Sequence, residues 1–451
     1  MFGFHQMEHI EGFLPIEEKV AVSEAAELAA VVTECVHRRR PVYPIGGGTH
    51  LNYGGPATQP GIAVHLGKLE KIVYYPSRDL TITVEAGMPV AALQEILVRE
   101  NQWLPAATSW SDRMTVGGWL ATAWPGPRHS HYGSVADFFL GFRAVDGKGE
   151  IFSGGSRLVK NAAGYNLPRL ITGSLGSLAI LVEVTLMVRP RPESSRFLLF
   201  GLPSFEKAQE ILQDLGPLQV QVAAVELLAG VTWISVHHTF FETRWDEGSL
   251  WLAIGLEGWE EEVQEMEDQV FRRIGSGRSF KVAKVPSAEA GDMWRALESF
   301  SGAAPPSLQP GEEGVQENKP TANPREAVLL QVRVLPTRVM EACHSLADNP
   351  EVCALQAHLP QGVIWVWMLT AEDPFRNHLF PALSRDLQKM GGTLVVARRP
   401  PSWRLSRELV WGIVQDQIGA EVCRAVGRQL MARMKAEFDP AGILNPGRLP
   451  W

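Results

Sequence analysis

The chain has 451 residues, 45% of them hydrophobic and 20% charged, with a net charge of -8 at pH 7. Its length exceeds what one ordinary core serves, so two or three domains are expected. The acidic balance, with "HRRR" at 37–40 as the main basic tract, argues against a nucleic-acid or anionic-membrane partner.

Cys35, Cys343, Cys353 and Cys423 stand far apart with no C-x-x-C pair. This disfavours an iron–sulfur cluster, a metal site or a secreted disulfide framework, and favours buried thiols in a reducing compartment. The first residues lack a basic start followed by an apolar core, and no run of 18 apolar residues occurs. A cytoplasmic chain with no transmembrane segment is the expectation.

Ser23 is a candidate N-cap, and Leu28, Val31, Val32, Cys35 and Val36 recur at helical spacing, which predicts a helix over 24–39. "PVYPI" reads as a strand and runs into Gly46, Gly47 and Gly48; a turn-rich stretch then leads to a strand carrying Ile62, Val64 and Leu66. Neither G-x-G-x-x-G before a helix nor G-x-x-x-x-G-K-[ST] is present, so the two commonest nucleotide loops are excluded. What remains is a strand, glycine loop and strand, whose bare N–H groups suit an anion nest such as a pyrophosphate site. The competing reading is a tight turn that needs glycine for its own geometry.

"TITVEAG" at 81–87 reads as a strand, after which Pro89 opens a helix. Thr115, Gly117 and Gly118 then begin a short segment whose helix start would offer N–H groups to a phosphate, unless the glycines serve only close packing. Asp146 and Gly147 mark a hairpin, and an apolar strand covers 180–188. Residues 195–300 mix strand-like and amphipathic runs, 301–326 is Pro-, Gly- and charge-rich and reads as a flexible insertion, and strands resume from 327. A last helix is predicted over 421–437.

The order P-x-GGGT, T-V-GG, and "KNAAGYNLPRLITGSLGSLAILVEVTL" resembles the FAD-binding (PCMH-type) domain of the vanillyl-alcohol-oxidase-type flavoproteins. Within them the chain is similar to the E subunit of bacterial glycolate oxidase, through "KNAAGYN" and "KAEFDPAGILNPGRLPW". The resemblance implies an α+β fold: an FAD domain over 1–192, with subdomains of about 15–72 and 73–192, an α+β cap over 193–410, and a helix and tail over 411–451 packing on the FAD domain. It also implies noncovalent FAD. Gly46, Gly47, Gly48, Thr49 and His50 match the pyrophosphate loop, and Thr115, Gly117, Gly118 and Thr122 the second phosphate and ribityl segment. Gly176, Ala179 and Ile180 fall at the adenosine half, Asn445 lies in the returning tail, and Lys160 is a candidate tuner of the flavin. The chain departs from the pattern at Leu175 and Ala179, where relatives carry an acidic residue and glycine.

Catalytic paralogues bind a metal and the hydroxyacid through an H-x-G-D-G-N-x-H strand. Here the corresponding stretch is "AHLPQGV", with His358 alone, so no metal site is expected. Arg398, Arg399 and Arg404 are candidate carboxylate binders, weighed against solvated surface. "WVWM" at 365–368 and "PPSW" at 400–403 are candidate aromatic anchors for a partner, weighed against core. Three functions follow: an electron-transferring FAD subunit of a glycolate or D-lactate dehydrogenase complex, with a paralogous FAD-containing catalytic subunit and an iron–sulfur subunit as partners; a stand-alone FAD-dependent 2-hydroxyacid dehydrogenase; or a non-catalytic scaffold.

Overall fold

The computed structural model describes residues 13–106, 109, 111–158, 164–218, 220–230, 233, 250–275, 280–302, 326–370, 379–401, 403, 405–412 and 418–450. They form two compact units: one within 1–125, 133–191 and 404–451, the other within 126–132 and 192–403. Both mix helices and sheets, which makes the chain an α+β protein. Most of the insertion read at 301–326 lies outside the described residues.

The first unit opens with strand β1 (Ile16–Ala21), helix α1 (Ala25–Arg38), strand β2 (Val42–Ile45) and strand β3 (Gly61–His65). The three strands form a parallel sheet in the order β1-β3-β2. Because β3 is central, Gly61 through Val64 are all buried, as a parallel strand covered on both faces requires. Leu28, Val32 and Cys35 of α1 pack with Val42, Val64 and Leu66 in one core. Ser23 does not cap α1: Glu24 occupies that position, while the Ser23 amide and hydroxyl donate to Glu27 Oε2 at 2.7 and 2.9 Å. The cap is thus inverted, with the acid of the first turn reaching back to satisfy the chain before it.

A second, antiparallel sheet orders Ile72–Tyr74, Thr81–Glu85, Ala179–Met187, Phe139–Asp146 and Ile151–Gly155. The hairpin expected at Asp146 is present, with a longer loop than the Asp-Gly pair alone: Asp146 Oδ1 accepts from the amides of Lys148 and Glu150, both at 2.9 Å. Helix α2 (Val90–Val98) starts behind Pro89, and helix α3 (Val116–Thr122) behind Thr115.

The helix Ile418–Phe438 leads into a tail that completes the first sheet. Val42 donates its amide to Ile443 O and accepts from Asn445 N, both at 2.8 Å, and Leu444 bridges Val42 in parallel. Ile443 and Leu444 are buried in the α1 core. Beneath the tail, Asp439 is 1% exposed and accepts from the amides of Ile443 and Leu444 at 3.1 and 2.7 Å. Lys435 Nζ pairs with Asp439 and donates to Leu444 O at 2.8 Å and Ser177 O at 2.7 Å. Burial holds the Lys435 ammonium below the usual lysine range, with Asp439 opposing that shift.

The second unit is built on an eight-stranded antiparallel sheet. Its order is Lys281–Val285, Ser194–Leu202, Leu250–Gly258, Ala224–Ala229, Val352–His358, Val363–Thr370, Glu326–Arg333 and Thr393–Arg398. The amphipathic run near 260 forms the helix Glu260–Val270, burying Val263, Met266 and Val270. Residues 126–132 group with this unit because Arg128 is buried in it. Its Nε and Nη2 fork onto Glu257 at 2.9–3.2 Å, its Nη1 bonds Glu298, and its guanidinium lies 3.6 Å from the Trp294 ring centroid. Burial pushes the Glu298 carboxyl above its ordinary range, against the pull of Arg128.

Removing Arg128 would strand two carboxylates. Arg128→Met is expected to destabilise the protein by about 3–5 kcal/mol in denaturant unfolding. A second expectation concerns Tyr43, which is fully buried and donates to Gln59 O at 2.6 Å. Burial pushes its phenol up to about 12, so the folded state keeps a proton that the unfolded chain releases near pH 10. Its contribution is present below pH 10 and lost as pH rises through about 12; Tyr43→Phe should flatten that part of the stability–pH curve, read by unfolding from pH 9 to 12.

Candidate functional site

The first unit contains a cleft with about 910 Å³ of space between its walls, open solvent at its mouth included. Gly46, Gly47, Gly48, Thr49 and His50 line it, as do Thr115, Gly117, Gly118, Thr122, Gly176, Ala179, Ile180 and Asn445. Lys160 lies outside the described residues.

The glycine loop leaves β2 and passes close over residues 113–115. A Cβ on Gly47 would lie 1.6 Å from Arg113 O, and one on Gly46 2.2 Å from Thr115 Oγ1. Close packing therefore requires Gly46 and Gly47, and the tight-turn reading is left with Gly48, whose φ is 68°. The loop does more than turn, however. The amides of Gly46, Gly47, Gly48 and Thr49 donate to no described residue, which leaves consecutive N–H groups at the cleft wall. Thr49 Oγ1 sits 2.9 Å from His50 Nδ1 and 3.4 Å from Met114 Sδ, tying the loop to the segment before α3.

The start of α3 differs from the expectation drawn from sequence. Val116 N donates to Met88 O at 2.8 Å, Gly117 N to Ala86 O at 2.7 Å, and Gly118 N to Thr115 Oγ1 at 3.2 Å. Its leading amides are thus already satisfied by the protein. Thr115, Gly117 and Gly118 contribute shape to the cleft, and the donors come from the glycine loop.

Opposite, Leu175 and Gly176 both take left-handed backbone, with φ of 52° and 67°. For a leucine this conformation is strained, and two bonds hold it: Leu175 N donates to Ala121 O at 2.9 Å and Leu175 O accepts from Asn445 Nδ2 at 2.5 Å. Three residues further along the tail, Arg448 is 4% exposed and lines the same cleft. Sequence reasoning missed it because its partners lie almost 400 residues away. It also missed an aromatic group beside the loop, in which Trp124 meets His50 at 4.4 Å and Tyr53 at 5.1 Å between ring centroids.

The second unit holds a separate polar group that the isolated "AHLPQGV" stretch did not reveal. His358 Nδ1 lies 2.6 Å from Glu226 Oε2, across the pairing of their two strands, and both residues are buried. Gln356 donates to the same oxygen at 2.9 Å, and Trp365 Nε1 donates to His358 Nε2 at 3.2 Å. An indole N–H can only donate, so Nε2 is the acceptor and Nδ1 carries the proton toward Glu226. Both ring nitrogens are engaged. No group of three or more His, Cys, Asp or Glu suited to a metal occurs among the described residues.

The candidate partner anchors are core instead: Trp365, Trp367 and Trp403 are all buried. Trp365 and Trp367 stand on the Val363–Thr370 strand, and Trp403 follows the last strand of the same sheet. Arg398 donates to Gly302 O, and burial holds the Arg399 guanidinium down to about 10; Arg404 lies outside the described residues.

Gly118 is the position at which the cleft can be tested with least damage, since an added Cβ meets only Thr115 Oγ1 at 3.1 Å and Met114 Sδ at 3.6 Å. Gly118→Ala should fold and keep most ligand affinity, whereas Gly118→Asp should lower affinity for an anionic ligand at least about tenfold, measured by flavin fluorescence titration.

Comparison with known proteins agrees with this geometry. The FAD binding domain family matches residues 18–155, and the C-terminal domain of FAD linked oxidases matches 191–373 and 412–449. The mitochondrial D-lactate dehydrogenase [cytochrome] of Arabidopsis thaliana is 24% identical over 94% of this chain and 71% of its own length. Glycolate oxidase subunit GlcE of Escherichia coli is 34% identical over 42% of this chain, and subunit GlcD of Bacillus subtilis 28% over 46%. Those two matches span 54% and 44% of the respective subunits. An alkyldihydroxyacetonephosphate synthase structure shares the fold over 95% of this chain and 75% of its own, with a TM-score of 0.67 and 15% identity. With an FAD binding domain followed by the matching oxidase C-terminal domain, the chain belongs to the FAD-linked oxidases.

Proposed function

We propose that this chain is the FAD-carrying, electron-transferring subunit of a glycolate or D-lactate dehydrogenase complex. Its partners in that reading are a paralogous, FAD-containing catalytic subunit and an iron–sulfur subunit, in the cytoplasm or at the inner membrane face through those partners. Among the described residues no helix is long and apolar enough to cross a membrane. The observation that carries this reading is the run of amides at Gly46–Thr49, on the wall of the cleft, that donate to no described residue. Such a nest suits a pyrophosphate, and FAD when bound supplies a two-electron redox centre.

The residues of the cleft divide the work. Gly46 to Thr49 offer donors to the diphosphate, Thr115 to Thr122 and Gly176 to Ile180 shape the walls, and Asn445 holds Leu175 in its left-handed turn. The electron-transferring role rests on the second unit. His358 is the one histidine of the stretch that stands where catalytic paralogues carry their metal-binding strand, and its Nε2 already accepts from Trp365 while its Nδ1 faces Glu226.

A second reading, the stand-alone 2-hydroxyacid dehydrogenase, is favoured by two observations. The D-lactate dehydrogenase likeness runs over 94% of the chain, and a carboxylate-oriented histidine is the usual form of a general base. The two are separated by kinetics. The isolated chain with FAD should be reduced by glycolate or D-lactate at least about 100-fold more slowly than the native assembly, the scale set by a missing acid–base group. Equal rates, or purification from the native host without flavin and iron–sulfur partners yet with full activity, would establish the stand-alone enzyme. Acid precipitation should release all the flavin; colour left in the pellet would mean a covalent link.

A further inference from the structure

We infer that Lys435 is a positioning residue for the cofactor, its ammonium clasping one wall of the cleft to the tail strand, an inference that rests on FAD occupying the cleft as proposed above. The wall in question is the turn at Ser174–Ser177, of which Ser174, Leu175 and Gly176 line the cleft. Its left-handed residues at 175 and 176 make it a shape that must be held from outside. Ser177 does bond back to Ser174 O, through its amide at 3.0 Å and its hydroxyl at 2.5 Å. Those bonds close the turn without placing it.

Placement comes from two sides. On one, α3 accepts the amides of Gly173 and Leu175 at Leu120 O and Ala121 O, both at 2.9 Å. On the other, the C-terminal segment donates to the turn's carbonyls, Asn445 Nδ2 to Leu175 O and Lys435 Nζ to Ser177 O at 2.7 Å. An ammonium has three N–H groups, and those of Lys435 are matched by three acceptors: Ser177 O, Leu444 O at 2.8 Å and Asp439. Asp439 in turn takes the amides of Ile443 and Leu444. The pair therefore grips the tail by a carbonyl and two amides, and through Ser177 it grips the cleft wall. The Asp146 hairpin leaves room for it: Gly147 N donates to Phe438 O at 2.8 Å, and a Cβ on Gly147 would run into Asp439. Burial works against the ammonium, and Asp439 is the one titratable group among the described residues that acts to keep it charged. Ser177 and Leu444 offer it only carbonyls, and Gly147 brings no side chain. A buried pair of this kind adds little net stability, and replacing both members together is often neutral for folding. Removing the clasp should thus weaken cofactor binding while sparing the fold.

The test uses the full chain stripped of flavin, as wild type and as the double variant Lys435→Met/Asp439→Asn, which removes the charge pair and leaves an acceptor for the tail amides. Amide hydrogen exchange should quicken at least about tenfold at Gly173, Leu175 and Asn445, while the central strand β3 keeps its protection. FAD, followed by flavin fluorescence, should bind about 10- to 100-fold more weakly, the range for hydrogen bonds from a charged donor, with the unfolding midpoint little changed. Wild-type affinity should also fall as pH is raised from 7 towards the ordinary lysine value of about 10.4, because the amine loses one of its three donors with its proton. The double variant should lack that step. Unchanged FAD affinity in the double variant would overturn the inference, as would the same pH profile in both proteins. Faster exchange throughout β1 to β3 with a large loss of stability would make the pair a plain element of the fold and overturn it too. Should the double variant not fold, Lys435→Gln takes its place, with the same outcomes deciding. Wild type that binds no FAD removes the cofactor reading itself, whereas wild type that binds it, beside a variant that binds it equally well, removes only the role of Lys435.

Discussion

Val42 gives its amide and its carbonyl to the same stretch of tail, and the walls of the cleft depend on that exchange. β2 would otherwise be the open edge of a small parallel sheet, and it is also the strand from which the glycine loop springs. Closing it with Ile443–Asn445 buries two apolar side chains against α1 and sets Asn445 where it can reach Leu175 O. One strand edge therefore registers the donors at 46–49, the strained turn at 175–176 and the tail cation. A shift of one residue in that pairing would move all three walls together.

The elements whose signal is local were readable from the sequence. The helical spacing of Leu28, Val32 and Cys35, the proline before α2 and the glycines after β2 each mark their element within a few positions. The family resemblance extended this to cleft residues scattered over the chain. Hydrogen-bond partners were not readable. That the α3 amides are spent on Ala86 and Met88 depends on how a strand end meets a helix start, and no periodicity records it. The Glu226–His358 pair depends on the register of two strands 132 positions apart, and Arg128 is buried only because Glu257, Glu298 and Trp294 surround it.

The two units use buried charge in different ways. In the second, Arg128 is wrapped by two carboxylates and an indole, so its charge is consumed in holding secondary structure together. In the first, the guanidinium of Arg448 is anchored by three carbonyls, and no Asp or Glu is among the described residues that line the cleft beside it. One guanidinium is held by carboxylates and the other by backbone carbonyls, so the same side chain fastens a strand to a helix in one setting and a loop to the tail in the other.

The tail's pairing with Val42 also orders events in time. Ile443 and Val42 lie about 400 positions apart, with the whole second unit between them in the chain. Loop-closure entropy grows only as the logarithm of length, so such a distant contact costs little at equilibrium, but long-range contacts form late in folding. When residues up to 191 have been made, the glycine loop and the 175–176 segment are present in the chain, but the tail partner of β2 and Asn445, which bonds Leu175 O, are not. Closure of the β2 edge and of the Leu175 turn therefore waits for synthesis of the tail.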